Sequence, residues 1–234
     1  MLSIHALEVW YGTTVILRGV TFDVAADRIV ALLGGNGAGK TTLLHTLSGI
    51  VRPRGGSIAF DGTSIAGLSP RGIVARGLVQ VPQGRFVWPG MTVLDNLLLG
   101  AVTRRDKAEM RASIEDAFTL FPTLQQRQAD RAGLLSGGQQ QMLAIARALM
   151  AKPRMLMLDE PSAGLSPRII GEMVEALRAL HRRGLGMLLV EQNVGLAGAL
   201  ADTAFVLANG AIAFQTDGAG LASNSQVIRS YLGQ

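Results

Sequence analysis

The sequence predicts an α/β fold with a parallel sheet, and three observations support this prediction. An apolar run at residues 29–33 passes through a glycine-rich turn into a helical pattern. Two more apolar runs, 154–160 and 186–192, are separated by a helical pattern at 167–183, which is the order of a parallel β-α-β unit. Residues 85–152 are almost wholly helical in pattern. We therefore expect a helical lobe inserted into the sheet.

The first half of the chain alternates between strand and helix signals. Period-2 alternation and apolar runs predict strands at residues 3–9, 15–24, 29–34, 56–62 and 78–84. A helix should begin after Ser69, because serine is a good N-cap and Pro70 suits the first helical position. The last strand of this half runs into a polar turn at Gln83.

The second half begins with the helical lobe, where helices are predicted at residues 92–100, 106–121 and 136–149. After the β-α-β unit, Asn209 and Gly210 lie between two apolar runs and predict a hairpin turn. A short helix is expected near the C-terminus.

Composition excludes several classes of protein. The chain has 234 residues, 48% of them hydrophobic, which is enough for one large α/β domain. Its 22 basic and 17 acidic residues are scattered, so a nucleic-acid groove is not indicated. The absence of cysteine excludes disulfides and thiolate metal sites and fits a reducing cytosol. No signal peptide and no run of about 18 apolar residues is found, so we expect any membrane role to come through partners.

Residues 34–41, GGNGAGKT, match the phosphate-binding pattern G-x-x-x-x-G-K-[ST] between a strand and a helix. In this motif Gly34, Gly37 and Gly39 let the backbone N–H groups wrap a phosphate, Lys40 reaches the β- and γ-oxygens, and the hydroxyl of Thr41 ligates Mg²⁺. An ordinary glycine turn is the alternative, but it does not require a lysine followed by two threonines.

Acidic and amide side chains follow the next apolar strands. Asp159 and Glu160 end one strand, where the first carboxylate would lie near a metal and the second could polarise an attacking water. Gln83 ends another strand and could contact both the metal and the water. Tyr11 could stack on a purine base. Each has an ordinary alternative: solvated acids at a strand end, a loop glutamine and a packed aromatic ring.

The helix predicted after Ser136 begins with Gly137 and Gly138, which capping does not require. Ser136 and Gln139 have the spacing of a capping box. The two glycines would let backbone donors at this helix terminus approach an anion. Because the loop at 34–41 already supplies one phosphate site, we expect this second site to close over the γ-phosphate held by another chain.

The motifs GGNGAGKTT, VPQG, LSGGQQQ and LMLDEP, in this order, resemble the nucleotide-binding subunits of ABC transporters over nearly the whole chain. The resemblance implies a P-loop NTPase (RecA-like) core with an N-terminal antiparallel β subdomain and an inserted α-helical subdomain. It divides the chain into a catalytic core with the β subdomain (1–84 and 153–234) and a helical subdomain (85–152).

The resemblance also implies a role for each motif residue, with ATP and Mg²⁺ as the cofactors. Glu160 is then the catalytic base, assisted by Gln83 and Gln192, and Tyr11 stacks on adenine. The phosphate and metal ligands are Gly34, Asn36, Gly37, Ala38, Gly39, Lys40, Thr41, Thr42, Gln83 and Asp159, and the signature that acts across the dimer is Ser136, Gly137, Gly138 and Gln139.

Several partners follow from the same resemblance. The segment at 161–167 resembles the one that communicates between the two sites of a dimer, and the surface around 85–103 resembles the one that docks a permease helix. We expect a second ATPase subunit, a different chain or a copy of this one, and transmembrane permease subunits at the cytoplasmic face of the inner membrane. A solute-binding protein would take part indirectly.

Gln192 departs from the usual pattern, in which a histidine contacts the γ-phosphate. Together with VPQGR, DEPSAGL and the ending SYLG, it makes the chain most similar to the smaller ATPase of branched-chain amino-acid importers. Urea and amide importers share the glutamine and remain an alternative. A soluble ABC ATPase acting on DNA or ribosomes is less favoured, because the chain has no long heptad insertion and no second phosphate-binding loop. A nucleotide-regulated module without hydrolysis is disfavoured by Glu160.

Overall fold

The computed structural model describes residues 1–223, and its elements follow the predicted order. The strands are β1 Leu2–Tyr11, β2 Thr14–Val24, β3 Ile29–Leu33, β4 Gly55–Phe60, β5 Thr63–Ser64, β6 Leu78–Val81, β7 Met155–Asp159, β8 Gly186–Glu191, β9 Thr203–Ala208 and β10 Ala211–Asp217. The helices are α1 Lys40–Leu47, α2 Pro70–Ala75, α3 Val93–Gly100, α4 Lys107–Leu120, α5 Pro122–Gln126, α6 Gly137–Leu149, α7 Pro167–Arg182, α8 Val194–Leu200 and α9 Gly218–Ser223. The SYLG ending, at 230–233, lies outside the described residues.

The strands form two sheets. One has the order β10-β9-β3-β8-β7-β6, and its strands are parallel except for the antiparallel edge strand β10. The other is an antiparallel sheet in the order β2-β1-β4-β5. The predicted α/β class and the N-terminal antiparallel sheet are both confirmed.

The large sheet has an apolar core on each face, because successive strand residues point to opposite sides. In β3, Ile29, Ala31 and Leu33 belong to one core, and Val30 and Leu32 to the other. The first core also contains residues of α3, α4, α6, α7 and α8, whereas the second contains α1 and the antiparallel sheet. Continuous apolar strands are therefore required, and the sequence supplies them.

Local signals explain most helix termini. Ser69 accepts a hydrogen bond from the backbone N–H of Gly72 at the start of α2, with Pro70 in the first helical position.

Asn209 and Gly210 both have positive φ between β9 and β10, as a type I′ turn requires. The stretch from β6 to α3 differs in part from the prediction. The polar turn after β6 is present, but residues 85–91 are not helical, and Arg85 and Phe86 have left-handed backbone angles that no helix contains. Within residues 1–223, no helix is both long and apolar enough to cross a bilayer.

Candidate functional site

The candidate site lies at the carboxyl edge of the parallel sheet. In the register of neighbouring strands, Leu33 is opposite Glu191 and Asp159 is opposite Val190. Val81, at the end of β6, is opposite Leu158 of β7. The segments that leave these four strands therefore emerge side by side, at the edge where open parallel sheets bind ligands.

The loop between β3 and α1 needs its glycines. Gly37 and Gly39 have φ of 80° and 108°, which side chains rarely tolerate. A Cβ at Gly34 would lie 2.8 Å from the backbone oxygen of Leu207. Helix α1 has no side-chain cap, so the N–H groups of its first turn can bind an anion.

Lys40 places its ammonium group at the centre of this loop. Its side chain is 6% exposed, and Nζ donates to the backbone oxygens of Gly34 at 2.7 Å and Gly35 at 3.0 Å. Nζ also forms an ion pair with Oε1 of Glu160 at 3.1 Å. The loop and the end of β7 therefore share one charged contact.

Glu160 is held in an unusual backbone conformation. Its φ of 44° is rare for a residue with a side chain, and its N–H donates to the oxygen of Val190 at 2.8 Å. Its carboxylate accepts hydrogen bonds from Nε2 of Gln83 at 2.9 Å and Nε2 of Gln192 at 2.6 Å. The carboxylate is thus fixed by an ammonium group and two amides.

Gln192 joins this carboxylate to the phosphate-binding loop. Its Nε2 also donates to Oδ1 of Asn36 at 2.9 Å. Of the residues predicted to act in catalysis, all three (Gln83, Glu160 and Gln192) lie in direct contact, and Lys40 and Asn36 extend the cluster.

Asp159 lies deeper, with 3% of its surface exposed. Burial, followed by the nearby charge of Glu160, raises the pKa of Asp159 from 3.8 to about 6, although Lys40 opposes this shift. Its Oδ1 is buried without a hydrogen-bond partner among the described residues. A buried carboxylate oxygen without a donor suits a hard divalent cation such as Mg²⁺, which typically takes one or two protein carboxylates. The exposed Thr41, in the first turn of α1, offers a hydroxyl oxygen.

Tyr11 is the last residue of β1, and 48% of its surface is exposed. The alternative that this ring is simply packed is therefore not favoured. Thr42 is buried next to Thr41 in α1, and Ala38 is buried within the loop.

The predicted capping box at the start of α6 is present. Oγ of Ser136 accepts from the N–H of Gln139 at 3.3 Å, and Oε1 of Gln139 accepts from the N–H of Ser136 at 3.0 Å. Within the described residues, no hydrogen bond or ion pair joins Ser136–Gln139 to the loop at 34–41. The structure thus brings the carboxylates, amides and lysine together but leaves the Ser136 turn apart from them.

One of the two glycines of this turn, Gly138, also has a reason within the chain. A Cβ at Gly138 would lie 2.6 Å from Cγ2 of Ile169 in α7, so glycine lets the two helices approach closely. A Cβ at Gly137 would approach the guanidinium group of Arg85, but that group is the end of a flexible side chain and can move aside. Helix packing therefore explains Gly138 without an anion, and access for an anion stays a prediction for both glycines.

Sequence reasoning missed Glu191 at this edge, and it missed the approach of Arg85 and Ile169 to the turn that begins at Ser136. Arg85 and Ile169 contact the glycines through tertiary approach, which no local pattern indicates. Glu191 ends the apolar strand β8 and is 2% exposed. Asp159 was predicted because it is an acid at the end of an apolar strand. The same signal applies to Glu191 and could have identified it.

Comparison with known proteins agrees with this geometry. Residues 17–163 match the family model described as ABC transporter. The high-affinity branched-chain amino acid transport ATP-binding protein BraG of Pseudomonas aeruginosa is 44% identical over all of both chains. The probable branched-chain amino acid transport ATP-binding protein LivF of Archaeoglobus fulgidus is 39% identical over 92% of this chain and 91% of its own.

Solved structures agree with the fold. An ATP-binding cassette of an ABC transporter in its ADP conformation superposes with a TM-score of 0.88 at 27% identity, covering 100% of this chain and 99% of its own. A family match over more than half of the chain and a full-length relative above 40% identity leave one conclusion: the chain belongs to the ABC transporter family.

Proposed function

We propose that this chain is the ATP-binding and hydrolysing subunit of a membrane importer for branched-chain amino acids. The observation that carries the hydrolytic part is the contact of Glu160 with Lys40, Gln83 and Gln192 beside the phosphate-binding loop. The assignment of the cargo rests on relatives. Two proteins that align over nearly the whole chain are named for branched-chain amino-acid transport.

The loop and α1 would hold the triphosphate. The backbone N–H groups of residues 34–39 would surround the β-phosphate, and Lys40 would exchange its carbonyl contacts for phosphate oxygens. The Thr41 hydroxyl, the Asp159 carboxylate and the Gln83 amide oxygen are the proposed ligands of Mg²⁺, which would neutralise charge on the β- and γ-phosphates. Tyr11 would stack on the adenine.

Glu160 would act as the general base. Its carboxylate is oriented by Gln83 and Gln192, so a water placed beside it would be aligned for attack on the γ-phosphorus. The carboxylate takes the proton of that water, the new P–O bond forms, and ADP leaves. Gln192 would exchange its contact with Asn36 for a hydrogen bond to the γ-phosphate, and it would donate this bond without carrying charge, unlike a histidine at the same position.

The site would be completed by a second ATPase subunit. The capping box holds the turn formed by Ser136, Gly137, Gly138 and Gln139. Among residues 1–223 this turn makes no polar contact with the loop at 34–41, which supports a role towards another chain's nucleotide. We assign residues 85–152 to a helical subdomain that docks a permease, and residues 1–84 and 153–234 to the catalytic core. Phe86, Trp88 and Val102 are exposed apolar residues on the proposed docking surface.

This assembly would place the chain at the cytoplasmic face of the membrane, attached through permease subunits. A separate solute-binding protein would deliver the cargo. Uptake of leucine and urea by vesicles containing the reconstituted complex tests the cargo, since preferential uptake of urea would overturn the amino-acid assignment.

The test of the catalytic assignment is Glu160→Gln. ATP hydrolysis should fall by about 10²- to 10⁴-fold, the span for loss of a general base, while ATP still binds. Glu172→Gln is the matched control, because Glu172 pairs with Arg168 on the surface of α7, away from the residues proposed to bind ATP. Undiminished hydrolysis by Glu160→Gln would disprove the role of Glu160.

The same variant tests the shared site. Light scattering with Mg-ATP should give the mass of a dimer, either for this chain alone or for a mixture with its partner ATPase. A monomer that binds ATP tightly in both samples would contradict a site completed by a second subunit.

A further inference from the structure

The most buried acid near the site, Glu191, has no part in the chemistry proposed above. It ends β8, and only 2% of its surface is exposed. Its carboxylate nevertheless accepts three backbone hydrogen bonds. Oε1 accepts from the N–H of Ser162 at 3.0 Å, and Oε2 accepts from the N–H groups of Gln192 at 3.1 Å and Asn193 at 3.2 Å.

These donors belong to two different segments. Ser162 lies in residues 161–166, which lead from β7 to α7, and Gln192 and Asn193 lead from β8 to α8. Within the described residues, a second polar side-chain contact joins the same two connections: Nε2 of Gln192 donates to Glu160, which comes just before residues 161–166. Both segments and Glu191 line a cavity of about 630 Å³ that also contains Glu160. The two oxygens of one carboxylate therefore link two loops beside the site.

Both segments that Glu191 joins also contact Glu160. The side chain of Gln192 donates to Glu160 at 2.6 Å, so the position of the Gln192 backbone decides where that amide lies. Ser162 follows Glu160 by two residues, and the N–H of Ala163 donates to the backbone oxygen of Glu160 at 3.1 Å. A shift of either segment would therefore alter the surroundings of Glu160.

We propose that Glu191 is a positioning residue that sets Gln192 against Glu160 and makes the placement of the 161–166 segment depend on that of Gln192. This inference rests on the proposed function, since it concerns the same hydrolytic site. Burial of a carboxylate costs free energy and raises the pKa of Glu191, whereas the hydrogen bonds from Ser162, Asn193 and Gln192 favour its charged form. A carboxylate matches this site, because every partner is a donor.

An amide cannot replace it. In Glu191→Gln, one oxygen can still accept from one of the two segments, but the NH₂ group faces the N–H donors of the other. One segment therefore loses its anchor while the side-chain volume is kept. A small displacement of a positioned group can cost about 10²-fold in rate, so we expect kcat to fall by about 10- to 100-fold.

The experiment measures ATP turnover by Glu191→Gln in the assembled complex with its partner ATPase and permease. KM for ATP should stay within about 2-fold of wild type, because the phosphate-binding loop is unchanged and only the reacting geometry is lost. Asp202→Asn is the matched control: Asp202 also accepts a backbone hydrogen bond, from Ile29 at 2.8 Å, but this bond lies at the opposite end of β3. The control should keep kcat within about 2-fold of wild type.

A double-mutant cycle separates positioning from general support. In a Gln192→Ala background the amide to be positioned is absent, so Glu191→Gln should cost much less than it does in wild type. The Glu191→Asp variant keeps the charge but is one methylene shorter, so it should reach one segment only and also lower kcat. If Glu191→Gln is too unstable to assay, the same double-mutant cycle is measured with Glu191→Asp and Gln192→Ala.

Three outcomes would overturn the inference while leaving the proposed function intact. These are an unchanged kcat in Glu191→Gln, a raised KM with unchanged kcat, and a loss of equal size with and without Gln192. Failure of the wild-type complex to hydrolyse ATP would instead remove the proposed function itself, and this inference with it.

Discussion

Asp159→Asn should stabilise the protein at neutral and alkaline pH, although it removes a proposed metal ligand. The Asp159 side chain is 3% exposed, and its Oδ1 has no hydrogen-bond partner among the described residues. Without a bound cation, the ionised form is therefore unfavourable in the folded chain. Asparagine has nearly the same shape and no charge.

The magnitude follows from the pKa of Asp159, which burial and the charge of Glu160 raise from 3.8 to about 6. One pKa unit corresponds to about 1.4 kcal/mol, so at pH 8 the ionised group costs the folded state about 3 kcal/mol. Between pH 4 and 6 the folded chain binds more protons at this position than the unfolded chain. The free energy of unfolding therefore decreases as pH rises through this window, and the loss is complete above it.

Urea denaturation of wild type and Asp159→Asn from pH 4 to 8, with EDTA and without nucleotide, measures this difference. The variant should be more stable by about 2 to 3 kcal/mol at pH 8 and nearly equal to wild type at pH 4. Asp202→Asn, at the other end of the same sheet, should show no such gain. Parallel curves for wild type and Asp159→Asn across the range would refute the argument.

The remaining predictions concern packing and pH dependence. Gly138→Ala should lower the free energy of unfolding by about 1–3 kcal/mol, because the new Cβ would lie 2.6 Å from Cγ2 of Ile169. Ile169→Ala should restore part of this loss in the double variant, and urea denaturation would contradict the explanation if it did not. At saturating Mg²⁺, where the metal would hold Asp159 ionised, hydrolysis by wild type should show no inflection near pH 6.5, because Gln192 cannot titrate. Gln192→His should introduce an inflection by placing an imidazole beside Glu160. A pH–rate profile of each protein checks this, and an unaltered profile in Gln192→His would count against contact between residue 192 and the reacting groups.

Much of the fold could be predicted from local signals. The apolar runs before Gly34 and before Asp159 are strands with two buried faces, and their type is readable because few polar residues interrupt them. The N-caps at Ser69 and Ser136 were readable for a similar reason, since their hydrogen bonds join residues three apart. The stretch at 85–91 is less predictable, because left-handed backbone angles at Arg85 and Phe86 are rare for residues with a side chain and no local pattern indicates them.

The sequence by itself determined the chemical groups of the candidate site and the fold that carries them. The lysine of the phosphate-binding loop, the acids after β7 and the amides Gln83 and Gln192 are all visible because each follows an apolar strand, and parallel strands end at one edge. The tertiary structure decided which atoms meet. The contacts of Glu160 with Gln83 and Gln192 span 77 and 32 residues of chain, and that of Gln192 with Asn36 spans 156. Glu191 as a link between two loops, and Gly138 as a point of helix contact, also depend on such long-range approach. Periodicity and spacing describe neighbours along the chain, whereas these contacts are fixed by strand order and side-chain packing.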